Sequence, residues 1–333
     1  MQLSEMKKVV TFRAASLGDT LLAKYLFENL RSEYIDARCI IVTGARSAML
    51  RELLHDYPWV EIKEINRCHP IEIIKGFFDL RGADLVVIPT SYGVFSTPKK
   101  IFARLISVTG ALWGYNDGSY LASLLYDRIF EINHDRPVIE NELEIVRSLK
   151  INPSLLKPTF HINKPDENVI KKIGLEKNKY LVINIFSGSP NRGLSPKNRQ
   201  RLIDVIVKNT SEYELILVGG MQNRSDLESL ALPPRAKIIT GSITELLQLL
   251  YFSKAVVSVD TGVAHISSGL GKTLLVLSSY AGRGWWTKVQ HPDTTTALVG
   301  QKGSNEEGNK AELFPESLNN FTNNDIERWV ASL

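Results

Sequence analysis

Short, continuous apolar runs alternate with amphipathic stretches along the whole chain of 333 residues. A strand with one wet face alternates apolar and polar residues, whereas continuous apolar runs are typical of parallel strands covered by helices on both faces. Strands that alternate with helices form βαβ units, so the pattern predicts an α/β fold with doubly wound parallel sheets. The predicted strands are residues 8–12, 38–42, 60–65, 83–88, 111–113, 180–186, 214–218, 236–239, 255–260 and 273–278. The predicted helices are residues 20–30, 45–55, 71–80, 98–107, 140–149, 196–208, 225–231, 243–254 and 262–270.

A proline-rich stretch near the middle indicates a boundary between two domains. Pro153, Pro158 and Pro165 lie among charged residues there, and proline disfavours both helix interiors and central strands. The chain length is also typical of about two domains. Because open parallel sheets bind ligands at the carboxyl ends of their strands, we expect two Rossmann-like domains that face a central cleft. The expected divisions are a first domain at 1–150, a linker at 151–175, a second domain at 176–320 and a C-terminal helix at 321–333.

The composition excludes several classes of protein. Two cysteines, Cys39 and Cys68, cannot form a disulfide framework and favour a reducing compartment. The sequence has no signal-peptide pattern and no run of about 20 apolar residues, so we expect a cytoplasmic protein. Forty basic and 36 acidic residues leave a net charge of +4 without a basic stripe, so no nucleic-acid partner is expected. This mild charge suits an anionic small molecule or an acidic membrane surface, or it serves solubility alone.

The segment that starts at Asp260 is the strongest local motif. A buried strand ends there and a helix begins within one or two residues, with Thr261 and Gly262 at the junction and His265 one turn further on. The N–H groups of a first helical turn have no internal partner and attract anions, and glycine permits close approach of a ligand to the backbone. This pattern predicts a diphosphate site that needs no metal. The alternative is an ordinary helix cap beside a surface histidine.

A second motif follows the first strand, where Arg13 and Ser16 precede Gly18 and Asp19. Gly18 is expected to permit a sharp turn from strand to helix. A carboxylate in the first turn of a helix is kept ionised by the helix dipole, and an ionised carboxylate near a hydroxyl can act as a general base. The alternative is that Asp19 serves only as the N-cap of the helix.

A polar loop at 187–196 forms the third motif. It offers the hydroxyls of Ser187 and Ser189 and the guanidinium of Arg192, which can pair with phosphate oxygens in a two-pronged contact. A plain surface loop is the alternative.

The six histidines lack metal-ligand spacing, and no Gly-x-Gly-x-x-Gly opens the first helix. We therefore expect neither a metal nor a cofactor.

These three motifs occur in the order and at the distances found in glycosyltransferase family 9, the heptosyltransferases of lipopolysaccharide core assembly, and the chain resembles that family. The segment that starts at Gly241 is similar to the family's segment before the strand that ends in Asp-Thr-Gly. The resemblance covers nearly the whole chain. It implies a GT-B fold and an inverting, metal-independent transfer of a sugar. The implied donor is a nucleotide diphosphate sugar such as ADP-heptose, and the implied acceptor is a glycan or glycolipid.

The resemblance also implies residue roles. Asp19 matches the proposed general base, and its neighbours Arg13, Ser16 and Gly18 are expected to contact the acceptor. The implied donor-binding residues are Ser187, Ser189, Arg192, Gln222, Gly241, Asp260, Thr261, Gly262 and His265.

The chain departs from the family at three places. Gln222 lies where heptosyltransferases often have a glutamate that contacts the nucleoside, Gly193 and Ser195 stand where the family has a lysine and a tryptophan, and the family's proline after Gly18 and Asp19 is missing. Arg192, next to the missing lysine, is a candidate to supply its charge. The departures indicate a divergent member, and its donor need not be ADP-heptose.

Two other functions remain open from the residues. A sugar-nucleotide epimerase or hydrolase can use the same fold, and so can a nucleotide-sugar-binding protein without catalysis.

A contact with the inner membrane is a further expectation, because the predicted helix at 98–107 combines basic and apolar residues. A solvated helix face is the alternative. The residues concerned are Lys99, Lys100, Ile101, Phe102, Arg104 and Leu105.

Overall fold

In the computed structural model, the chain divides into two α/β units, Met1–Pro158 and Thr159–Leu333. The division falls inside the stretch expected to be a linker. Among the helices that the structure describes, none combines the length and the apolar character required to cross a bilayer. The described residues are 6–13, 16–44, 46–66, 68–88, 96–133, 138–187, 194–278, 293–299 and 321–333.

Unit 1 is built on a parallel sheet with the strand order β3-β2-β1-β4-β5-β6 in its described residues. The chain adds strands on one side of β1, then crosses back and adds strands on the other side, which is the doubly wound order. Its elements are β1 (Lys8–Phe12), α1 (Leu17–Arg31), β2 (Arg38–Thr43), α2 (Ser47–Leu53), β3 (Val60–Glu64), α3 (Pro70–Leu80), β4 (Leu85–Ile88), α4 (Thr97–Ile106), β5 (Ala111–Tyr115), α5 (Tyr120–Leu125), β6 (Arg128–Phe130) and α6 (Val138–Ser148).

Two helical layers cover the sheet of unit 1. One face of the strands, which includes Val10 and Ile40, packs against buried residues of α3, α4 and α5. Because successive side chains of a strand point to opposite faces, Val9 and Ile41 lie on the other side, where α1 packs against α2 and α6. These strand residues are buried on both faces, which is why the apolar runs in the sequence are continuous.

Unit 2 repeats this plan, with the parallel strand order β12-β11-β10-β7-β8-β9 in its described residues. A short 3₁₀ turn, Met221–Asn223, leads into α9. Its elements are α7 (Glu167–Lys171), β7 (Tyr180–Asn184), α8 (Pro196–Asn209), β8 (Glu214–Val218), α9 (Arg224–Glu228), β9 (Ala236–Ile239), α10 (Ile243–Phe252), β10 (Ala255–Val259), α11 (Gly262–Gly269), β11 (Thr273–Ser278), β12 (Thr295–Val299) and α12 (Asn323–Val330).

The last helix, α12, belongs to the core of unit 2. Ile326 and Trp329 are buried in the cluster that contains the inner residues of α8 and the sheet. Thr322 caps the helix, and the side chain of Asp325 returns the bond to the Thr322 N–H at 2.9 Å, which completes a capping box. The C-terminal helix expected at 321–333 therefore starts after a cap at Thr322, with Asp325 as the partner of that cap.

Candidate functional site

The sheet of unit 2 reverses its winding between β7 and β10. The strands after β7 are added on one side, and those after β10 on the other. Ligands of open parallel sheets bind outside the carboxyl ends of the strands at such a switch point. Asn184 ends β7, and Asp260 and Thr261 directly follow β10. The fold thus places the strongest sequence motif where this rule predicts a ligand.

Asn184 ties the two strands together at this point. Its side-chain amide donates to the hydroxyl of Ser258 at 3.1 Å and to the hydroxyl of Thr261 at 2.9 Å. Asn184 is only 5% exposed, so these bonds replace water that the amide has lost. The predicted site did not include Asn184, although a polar residue at the end of a continuous apolar strand is a pattern that could have indicated it.

The start of α11 has an unusual cap. Thr261 is its N-cap residue, yet within the described residues its side chain makes no bond to the first turn, and that turn holds no acidic residue. The Thr261 hydroxyl accepts from Asn184 instead. Gly262 opens the helix without a Cβ atom. The first N–H groups of a helix carry partial positive charge, so this turn is suited to an anionic ligand.

Two further predicted residues flank this turn. The N–H of Asp260 donates to the carbonyl of Leu277 at 3.0 Å, which fixes it against β11. His265 lies one turn into α11, and its N–H donates to the Thr261 carbonyl at 3.3 Å. Both side chains are half-buried. Ser187 follows β7 at the same edge, whereas Ser189 and Arg192 lie outside the described residues.

Gln222 and Gly241 follow the next two strands, β8 and β9, at the carboxyl edge of the sheet. Gln222 is exposed in the 3₁₀ turn, and its carboxamide folds back against Gly220. Gly241 precedes α10, where a Cβ atom would collide with the carboxylate of Glu245 in the capping box of that helix. Both residues are exposed, so they are accessible to a ligand at this edge.

The second motif forms the start of α1 in unit 1. Ser16 is the N-cap: its hydroxyl accepts from the Asp19 N–H at 3.1 Å and donates to the Asp19 carboxylate at 2.6 Å. Asp19 is thus the third residue of the helix, half-buried, and not its N-cap. The prediction that Gly18 forms the strand-to-helix turn is wrong, because Gly18 is already the second residue of α1.

Arg13 lies directly after β1 with its side chain inside unit 1. Its guanidinium pairs with Glu142 of α6 at 2.9 Å, and the two side chains are only 2% and 1% exposed. Nε of Arg13 is buried and has no hydrogen-bond partner in the described part of the chain. Nearby, Tyr115 donates to the Asn141 carbonyl at 2.5 Å, and burial, followed by the charge of Glu142, raises the pKa of Tyr115. The Arg13 charge is therefore neutralised within the unit.

Comparison with known proteins identifies the fold of the chain. Neither a sequence-family model nor a curated protein matches the chain. Solved structures do. A glycosyltransferase family 9 protein from Veillonella parvula DSM 2008 is 14% identical, with a TM-score of 0.73 over 100% of this chain and 99% of that one. Escherichia coli ADP-heptose lipopolysaccharide heptosyltransferase II is 16% identical, with a TM-score of 0.71 over 98% of both chains.

Escherichia coli heptosyltransferase WaaC, solved with ADP, is 16% identical, with a TM-score of 0.69 over 98% of this chain and 99% of that one. The chain has the heptosyltransferase fold. This confirms the GT-B prediction and, at the level of fold, the resemblance to family 9. Within this GT-B fold, the carboxylate of Asp19 belongs to unit 1 and the open start of α11 belongs to unit 2.

Proposed function

We propose that the protein is an inverting, metal-independent glycosyltransferase that moves a sugar, a heptose or a related one, from a nucleotide diphosphate donor to a lipopolysaccharide, lipooligosaccharide or other glycan acceptor. The observation that carries this proposal is the start of α11 at the switch point of unit 2, where, among the described residues, the Thr261 side chain makes no bond to the first turn of the helix. The fold supports it, since the similar WaaC structures hold ADP and ADP-2-deoxy-2-fluoro heptose.

Unit 2 binds the donor in this proposal. The first-turn N–H groups of α11 hold the diphosphate, and Gly262 lets a phosphate oxygen approach the backbone. Thr261 and Asp260 offer further donors and acceptors, and His265 lies one turn along. The remaining proposed donor contacts are Ser187, Ser189, Arg192, Gln222 and Gly241. A diphosphate held by helix N–H groups and side chains needs no metal ion to bind.

Unit 1 binds the acceptor and supplies the base. The acceptor oxygen forms a bond to the anomeric carbon while the bond from that carbon to the diphosphate oxygen breaks. Asp19 takes the proton of the hydroxyl, and the nucleoside diphosphate leaves. Attack from the face opposite the leaving group inverts the anomeric centre. Ser16, which is exposed, contributes acceptor contacts. Gly18 is buried in α1, and Arg13 is buried against Glu142, where it ties the end of β1 to α6.

The test has two stages. A thermal-shift screen with ADP-, GDP-, UDP- and dTDP-sugars identifies the donor, since a ligand that binds the folded protein raises its Tm. The release of nucleoside diphosphate is then measured with and without candidate glycan acceptors, and the anomeric configuration of the product is read by NMR. We expect release only with an acceptor, and an inverted product. Release without an acceptor would identify a hydrolase, and no shift with any nucleotide sugar would refute donor binding.

A further inference from the structure

The outer surface of α3, α4 and α5 in unit 1 is unusually apolar. Large apolar side chains normally lie inside, and those on a surface are usually scattered singly. Of the thirteen large apolar side chains that are exposed among the described residues, eight lie on these three helices or directly after α4. We call these eight the apolar face: Ile71, Ile74, Phe78, Ile101, Leu105, Val108, Tyr120 and Leu124.

The apolar face is one surface rather than three separate ones. α4 packs against α3 on one side and against α5 on the other. The inner sides of all three helices are buried on the same face of the sheet, through Leu80, Ala103, Ile106 and Ala122. Each helix therefore has apolar residues on both its inner and its outer side. The inner residues are explained by the core, whereas the core does not account for the outer ones.

The charge of this layer points to the kind of partner. The three helices carry the basic residues Lys75, Lys99, Lys100 and Arg104 and the acidic residues Glu72 and Asp79, so four minus two leaves +2. The opposite layer, made of α1, α2 and α6, has four basic and six acidic residues, which leaves −2. None of the exposed large apolar side chains of the described residues lies on those three helices.

The positive charge also reaches the surface. Lys100 is buried and pairs with Asp117, and Arg104 pairs with Asp127. Lys75 and Lys99 are exposed. Arg81, directly after α3, is exposed as well, with its guanidinium 6.0 Å from the ring centre of Phe78. Basic side chains thus border the apolar face.

We propose that α3, α4 and α5 form a docking surface for an anionic lipid bilayer. Apolar side chains enter the boundary between headgroups and acyl chains, and basic side chains at their edge lie against lipid phosphates. Aromatic residues such as Tyr120, which is 80% exposed, are enriched at that depth of a membrane. A second copy of this chain fits less well, because a symmetric contact would place two positive faces against each other.

Vesicle flotation of the full chain tests this surface. We expect binding to vesicles that mix phosphatidylglycerol with phosphatidylethanolamine, little binding to phosphatidylcholine vesicles, and a loss of binding as salt increases. Leu105→Glu and Leu124→Glu should each lower the partition coefficient about tenfold, because each removes apolar burial and adds a repelled charge. Ile35→Glu is the matched control: Ile35 is 63% exposed against 64% for Leu124, but lies outside the apolar face.

A double variant, Lys75→Glu with Lys99→Glu, tests the charge separately, and it should lower binding to anionic vesicles at low salt. All these positions are exposed, so the Tm of each variant should stay near that of the wild type. Equal binding to both vesicle types, or equal loss with Ile35→Glu, would overturn the proposal. The proposal would also be overturned if the wild type bound no vesicles but formed a dimer in sedimentation that Leu124→Glu dissociates. Vesicle binding uses neither donor nor acceptor, so its failure is distinguishable from a failure of sugar transfer.

Discussion

The starts of α1 and α11 both lie beside the switch point of their own sheet, after the first strand of unit 1 and the fourth strand of unit 2, yet they are completed in opposite ways. Each follows a strand at the switch point of its sheet, β1 beside β4 and β10 beside β7. At α1, the Ser16 hydroxyl caps the helix and the Asp19 carboxylate lies in the first turn. At α11, the described residues provide neither a side-chain cap from Thr261 nor an acidic side chain in that turn.

The partial positive charge at a helix N-terminus therefore has a different use at each of these two helices. At α1 this charge stabilises a carboxylate that belongs to the chain, and an ionised carboxylate is the state that a general base requires. At α11 this charge is left for an anion from solution. Arg13, the cation at the end of β1, does not alter this contrast, because Glu142 already pairs with it. The comparison therefore predicts a base in unit 1 and a diphosphate site in unit 2.

The largest expected effect comes from removing the charge at α1. Asp19→Asn keeps a side chain that can bond to Ser16 but cannot accept a proton, so the transfer rate should fall about 10²–10⁴-fold. Donor affinity, measured by calorimetry, should be unchanged. Asp325→Asn is the matched control, since Asp325 holds the same third position in α12 beside its cap Thr322. Transfer by Asp19→Asn at the wild-type rate would show that the base lies elsewhere.

The buried ion pair of unit 1 gives the next effect. Glu142→Leu leaves the Arg13 charge buried without its partner, and the free energy of unfolding should fall by about 3–5 kcal/mol in urea titrations. The double variant Arg13→Met with Glu142→Leu should recover much of this loss, because it removes both charges. A single variant as stable as the wild type would mean that water reaches Arg13 and that the pair does not anchor the end of β1.

A third variant adds a carboxylate to the start of α11, where α1 has Asp19. Thr261→Asp supplies a favoured N-cap, so stability should change by less than about 1 kcal/mol. The new charge should repel the diphosphate and weaken donor binding by roughly ten- to a hundredfold, as measured by calorimetry. Thr261→Ser keeps the hydroxyl and should bind normally. Unchanged affinity of Thr261→Asp would show that the diphosphate does not lie at this turn.

Much of the fold was predictable because burial on both faces makes central strands continuously apolar. The predicted bounds of β1, β8, β9 and β11 agree with the structure. The strands β6 and β12 were missed, and both lie at a sheet edge, where burial and hence the apolar signal are weaker. The short helices α5 and α7 were missed as well. α1 begins at Leu17 rather than at residue 20, because Ser16 and Asp19 act together as its cap.

The local part of the candidate site was also predictable, whereas its long-range contacts were not. The strand end and helix start around Thr261 lie within one stretch of sequence, so glycine placement and apolar pattern indicate them. Asn184 is 77 positions from Thr261, and Arg13 is 129 positions from Glu142. Polar residues so far apart show no periodicity or spacing, and only the packing of the sheet reveals that they pair.

The contact between Asn184 and Thr261 gives the smallest expected effect. Asn184→Leu keeps the heavy-atom shape of the side chain but removes the amide that engages Thr261, so the hydroxyl becomes available to cap α11 and compete with the donor. The KM for the donor should rise a few-fold while kcat stays near the wild-type value. Gln248→Leu is the control: Gln248 is also buried and accepts from the Asp166 N–H, in α10 and away from this turn. An equal change in KM for both variants would indicate a general loss of stability, whereas a change confined to Asn184→Leu would show that this amide keeps the start of α11 open.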